Sequence, residues 1–88
     1  MISQQVVLSN RAGMHARPAT LLVNKAGEFK SEIFFEKDRD RVSSKSVLGI
    51  IALGLSYDST LKIIADGEDE QEALSALVEL FENKFYED

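Results

Sequence analysis

The chain has 88 residues, 44% hydrophobic and 28% charged, with a formal net charge of −5. That is the composition of one ordinary globular domain over residues 1–88 with a single modest core, and the acidic balance argues against direct nucleic-acid binding. One histidine and no cysteine argue against disulfides, thiolate chemistry and a structural zinc site.

The opening segment "MISQQVVLSN" has no basic region and only three consecutive apolar residues, so it does not read as a signal peptide. "QQVVLSN" has the β-branched content of a first strand, ending at the turn-forming Ser9-Asn10. "ARPATLLVNKAG" reads as a helix with Pro18 in its first turn, where a missing N–H costs nothing. Ala19, Leu22, Val23 and Ala26 form its buried stripe, and Gly27 is placed at C′. "SEIFFEK" and "RVSSK" are a second and a third strand, joined by a hairpin turn at Asp38-Arg39-Asp40. Of Phe34 and Phe35, one is expected in the core and the other on the opposite face.

"SVLGIIALG" reads as a short helix with Ser46 at its N-cap and Gly54 past its end. Leu48, Ile51 and Leu55 recur at helical spacing, which suits a core. Yet Val47, Leu48, Gly49, Ile50 and Ile51 are consecutive, so part of this apolar surface is expected to be exposed and to serve as a partner site. The apolar run here is far shorter than a membrane span, and a cytoplasmic protein without membrane insertion is expected. "TLKIIADG" is a fourth strand. "EDEQEALSALVELFENKF" is an amphipathic helix with Leu74, Leu77, Val78, Phe81 and Phe85 on one face and acidic residues at its start. "DRDR" reads as a solvated turn and "ENKFYED" as a frayed helix end, neither with a function. The order βαββαβα suits an α+β domain with helices packed on one face of a sheet.

The chemistry concentrates in "AGMHARPAT". His15 follows Gly13 and directly precedes a helix start. The N–H groups of Ala16 and Arg17 are therefore unpaired by the helix and make an anion site beside the imidazole. Arg17 adds a fork-shaped cation suited to phosphate, and Arg11 lies close in sequence. This describes a histidine that takes up a phosphoryl group better than a metal ligand. It also lacks the companion nucleophile or acid that a catalytic base needs.

Gly13-Met14-His15-Ala16-Arg17-Pro18-Ala19 resembles the G-x-H-A-R-P-A signature of the HPr family, the histidine phosphocarriers of the bacterial phosphoenolpyruvate-dependent sugar phosphotransferase system. Lys45-Ser46-Val47-Leu48-Gly49, continuing through Ile51, Leu53 and Gly54, resembles the family's second signature, in its Gram-positive type with a regulatory serine. The junction Gly67-Glu68-Asp69-Glu70 also fits, so the resemblance spans nearly the whole chain. It implies an open-faced β-sandwich, a four-stranded antiparallel sheet covered on one face by three helices. It implies that His15 takes a phosphoryl group on Nδ1 from phosphorylated Enzyme I and passes it to IIA domains of sugar permeases, with Arg17 stabilising the group. It implies phosphorylation of Ser46 by HPr kinase/phosphorylase, an N-cap position that also welcomes a phosphate. It further implies a corepressor link to a catabolite-control transcription factor, and a docking surface of Thr20, Val47, Leu48 and Ile51. A monomer without cofactor or metal is the family expectation.

A paralogue acting only through the serine lacks the histidine, so His15 and Arg17 oppose that reading. A carrier of a nitrogen-linked system usually lacks the serine motif, so Ser46 opposes that one. An RNA-binding α+β domain is opposed by the net charge and the missing aromatic motif. The loops Lys37–Asp40 and Ser56–Ser59 lack the glycines usual there. Asp58 is expected to supply any left-handed conformation the second one needs.

Overall fold

The computed structural model describes residues 1–87. Four strands, β1 (Ile2–Val7), β2 (Glu32–Lys37), β3 (Asp40–Ser43) and β4 (Thr60–Asp66), alternate with three helices, α1 (Ala16–Ala26), α2 (Val47–Ala52) and α3 (Glu70–Glu82). A terminal 3-10 turn covers Lys84–Tyr86. The strands make one antiparallel sheet in the order β1-β4-β2-β3, as the resemblance implied. The first strand lies earlier than its β-branched residues suggested, and Leu8 N–H still extends the ladder by donating to the Ser59 carbonyl at 2.8 Å.

Period-two alternation decides what faces the helices. Val6, Ile33, Phe35, Leu61, Ile63 and Ala65 join the core with Ala19, Leu22, Ile50, Leu74, Leu77 and Phe81 of the helices. Phe35 is buried there, while its neighbour Phe34 is half-buried on the other face under the Arg41 guanidinium, 5.9 Å from the ring centroid. Arg41 also pairs with Glu36 at 3.1 Å, so it belongs to β3 rather than to the turn. The hairpin link is therefore only Asp38-Arg39. Asp38 (φ 55°) and Asp58 (φ 70°) take the left-handed conformations that glycine would otherwise supply.

Helix boundaries follow their caps, with three departures from the pattern of the sequence. Gly27 is right-handed (φ −66°), so α1 ends through further turns rather than a left-handed glycine. In α2 the buried residue is Ile50, with Leu53 at the C-cap and Leu55 beyond it also buried. Leu48 is 80% exposed and Val47 and Ile51 only edge the core, because the helix is too short to turn more than one side inward. Gly54 does end this helix with φ +71°. Finally, α3 stops at Glu82, and Lys84, Phe85 and Tyr86 wind left-handed with φ of 52°, 54° and 60°. This reversal seats Phe85 fully in the core, edge-on to Phe81 with centroids 4.9 Å apart. Over the described residues, to Glu87, the acidic tail is thus a 3-10 turn and not a frayed helix end.

Asp69 precedes α3 and ties it to the segment that leads into β2. Its carboxylate accepts from the Ser31 hydroxyl and from the N–H groups of Lys30 (2.8 Å) and Ser31 (2.9 Å). The Ser31 hydroxyl, then the Lys30 amide, hold the Asp69 carboxyl below its usual range. Gly67 is required beside it, since a Cβ there would lie 2.6 Å from Ser31 Cα.

Candidate functional site

The loop before α1 is built on buried backbone. Gly13 adopts φ +76°, and a Cβ there would stand 3.3 Å from the Leu55 carbonyl. Its N–H bonds to the Asn10 carbonyl at 3.1 Å, and the next N–H, of Met14, reaches Leu55 at 3.0 Å. Met14 is buried, so the loop is pinned immediately before His15. His15 occupies the N-cap of α1 in extended conformation (φ −112°, ψ −170°), and its carbonyl accepts the Ala19 N–H at 3.1 Å.

The imidazole makes no capping bond to the helix. The Ala16 and Arg17 amides consequently have no hydrogen-bond partner among the described residues, and Pro18 contributes no N–H at all. His15, Ala16 and Arg17 are exposed. Arg17 shares a shallow cleft with Arg11, Ala12, Tyr86 and Glu87. Thr20 lies one turn into the helix, exposed, its hydroxyl donating to the Ala16 carbonyl at 2.7 Å.

The sequence did not disclose the partner of His15. Glu87 Oε2 lies 3.0 Å from His15 Nε2, and Glu87 Oε1 accepts from Asn10 Nδ2 at 2.8 Å. Asn10 is fully buried, and its other amide hydrogen serves the Gly13 carbonyl at 2.9 Å. The only signal was indirect: an aromatic residue as close to Glu87 as Phe85 had to be buried, and its neighbours had to follow it inward.

Ser46 caps α2, accepting the Gly49 N–H at 2.9 Å. It leads directly into Val47 and the exposed Leu48. α1 and α2 pack against each other, which brings Thr20 and the α2 residues Val47, Leu48 and Ile51 onto neighbouring helices. Among the described residues no cluster of His, Asp or Glu is placed to hold a metal ion, and no helix is long and apolar enough to cross a membrane.

An open, amide-lined histidine flanked by arginine suits a phosphocarrier, a protein that must offer the same side chain to successive partners rather than enclose a substrate. A family model described as the phosphotransferase-system HPr component phosphorylation site matches residues 2–83. The phosphocarrier protein HPr of Treponema pallidum is 44% identical over 88 residues, all of both chains. The HPr-like protein Crh of Halalkalibacterium halodurans is 43% identical over 84 residues, 96% of this chain and 100% of that one. Among solved structures, HPr from Thermoanaerobacter tengcongensis superposes with a TM-score of 0.95 at 45% identity, over 100% of this chain and 99% of that one. The chain belongs to the HPr family, the phosphocarriers of the phosphotransferase system.

Proposed function

We propose that this chain accepts a phosphoryl group on Nδ1 of His15 from phosphorylated Enzyme I and hands it to IIA domains of sugar permeases. The observation that carries this is the unpaired Ala16 and Arg17 amides at the helix end that His15 caps. Such donors favour the charge of an incoming phosphoryl group. Thr20, Val47, Leu48 and Ile51 form the shared docking surface, where the 80% exposure of Leu48 leaves an apolar side chain for a partner to cover. The protein works in the cytoplasm as a monomeric single domain, without a cofactor.

Ser46 is the regulatory site in this scheme. HPr kinase/phosphorylase phosphorylates its hydroxyl, and the phosphate sits at the α2 N-terminus, where the helix dipole tolerates it. Its charge beside Val47 and Leu48 opposes docking of Enzyme I, and the modified protein partners a catabolite-control transcription factor.

Incubation with phosphoenolpyruvate and Enzyme I is expected to give an acid-labile, base-stable phosphoprotein. Label that persists in His15→Ala would refute the carrier role. With ATP and HPr kinase, an acid-stable product is expected, and equal labelling of Ser46→Ala would remove Ser46 from the scheme.

A further inference from the structure

We propose that the cleft between the C-terminal end of α1 and the parted ends of β2 and β3 binds a small zwitterion with an apolar side chain, a free amino acid. The cleft has a volume of about 380 Å³, within the range of about 300–1,000 Å³ that small-molecule sites occupy. It exists because the strand pairing runs out. Phe34 and Ser43 are the last residues paired toward this end, and the Ser44 N–H adds one bond to the Ile33 carbonyl at 2.9 Å. Past that bond the two segments part around the cleft, and the end of α1 closes its back.

Three features set its chemistry. The first is a buried hydroxyl. Ser31 and Ser44 both line the cleft, 8% and 6% exposed. The Ser31 hydroxyl is committed to Asp69, whereas the Ser44 hydroxyl has no hydrogen-bond partner among the described residues. A hydroxyl so enclosed calls for a partner, and the cleft is where one can enter. The second feature is the rim. Lys45 and Glu32 are exposed there with opposite charges, and neither belongs to an ion pair among the described residues. Lys30, also on the cleft, is already paired with Glu68 at 3.0 Å. The third is the wall, where Val23, Ala26 and Phe29 offer apolar surface.

An amino acid answers all three. Its carboxylate accepts from the Ser44 hydroxyl and pairs with Lys45, its ammonium pairs with Glu32, and its side chain covers the apolar wall. A simple anion would meet Glu32 unpaired, and a simple cation would leave Lys45 and Ser44 unmatched. The place in the fold separates this site from the phosphoryl site. His15 stands at the other end of α1, whose 11 residues span about 16 Å. Lys45 instead adjoins Ser46, so occupation bears on the α2 cap and leaves His15 open.

The test is a titration of the ¹⁵N-labelled chain with L-phenylalanine, followed in ¹H–¹⁵N spectra. Saturable shifts are expected at Ser31, Ser44 and Lys45, with Ala16 and Arg17 unmoved. Phenethylamine, which lacks the carboxylate, and hydrocinnamate, which lacks the ammonium, are each expected to bind about tenfold more weakly, and glycine, which lacks the apolar group, likewise. Ser44→Ala and Lys45→Gln are expected to weaken L-phenylalanine binding about tenfold while the rest of the backbone spectrum stays as in wild type. Lys45 is exposed, so its variant reads the site even where Ser44→Ala disturbs the fold. Absence of saturable shifts up to the solubility of L-phenylalanine would overturn the proposal. Equal binding of phenethylamine and hydrocinnamate, or unaltered binding in Lys45→Gln, would overturn it as well.

Discussion

Replacing Ser46 by alanine removes the hydroxyl that accepts the Gly49 N–H at 2.9 Å. α2 has only six helical residues, so this cap serves a large share of its unpaired amides. The fit is local and tight, since a Cβ on Gly49 would stand 3.1 Å from the Ser46 oxygen. The bond is solvent-exposed, so the loss is at the middle of the range for N-caps, about 1 kcal/mol. With roughly 2 cal/mol/K of unfolding entropy per residue over 88 residues, Tm falls by about 5 °C. Ser46→Asp is expected to recover most of that loss, because its carboxylate can accept the same N–H and complements the helix dipole. Thermal unfolding of the three proteins by circular dichroism at one pH and salt concentration reads this directly. An alanine variant as stable as the wild type, or an aspartate variant no better than alanine, would show that Ser46 is not a working cap.

Gly67→Ala is expected to cost about 2 kcal/mol in urea denaturation, because its Cβ would overlap the Ser31 backbone, itself held by Asp69; an unchanged midpoint refutes the overlap. Asp69 is held below the usual carboxylate range, first by the Ser31 hydroxyl, so its contribution is complete above the unfolded-state value and vanishes as pH falls through the folded-state value. Asp69→Asn is therefore expected to be less stable than wild type at neutral pH, with the gap closing in acid; a gap independent of pH contradicts this. Leu48→Asp is expected to leave stability within about 0.5 kcal/mol, given the exposure of Leu48, while weakening Enzyme I binding about tenfold or more by calorimetry; unaltered binding removes Leu48 from the docking surface.

The elements legible in the sequence are those whose signals are local. Pro18 and the Ala19-Leu22-Ala26 spacing marked α1, Ser46 and Gly54 bracketed α2, and the absence of glycine at Asp58 foretold its left-handed backbone. His15 and Arg17 were legible because the donor set is contiguous with the helix start. The Glu87 contact was not, because Asn10, whose amide donates to Glu87, lies 77 positions away and nothing near Glu87 in sequence encodes the contact. The end of α3 misled for a related reason. Phe85 lies at helical spacing from Phe81, and only the packed structure shows that a left-handed reversal, not another helical turn, carries it into the core. Leu48 shows the opposite limit: its spacing matched a core position, but a six-residue helix has room for only one buried side.

The strand order β1-β4-β2-β3 also governs when the protein can fold during synthesis. β4 is the last strand to be made, yet both β1 and β2 take it as their neighbour. Until residues 60–66 have left the ribosome, the β2–β3 hairpin is the one strand pair that can form, and the apolar sides of β1 and α1 have no sheet to cover. Nascent chains arrested before Thr60 are accordingly expected to be protease-sensitive, and chains long enough to expose α3 to be resistant. Partial protection already present before β4 emerges would mean that the helices assemble without the sheet.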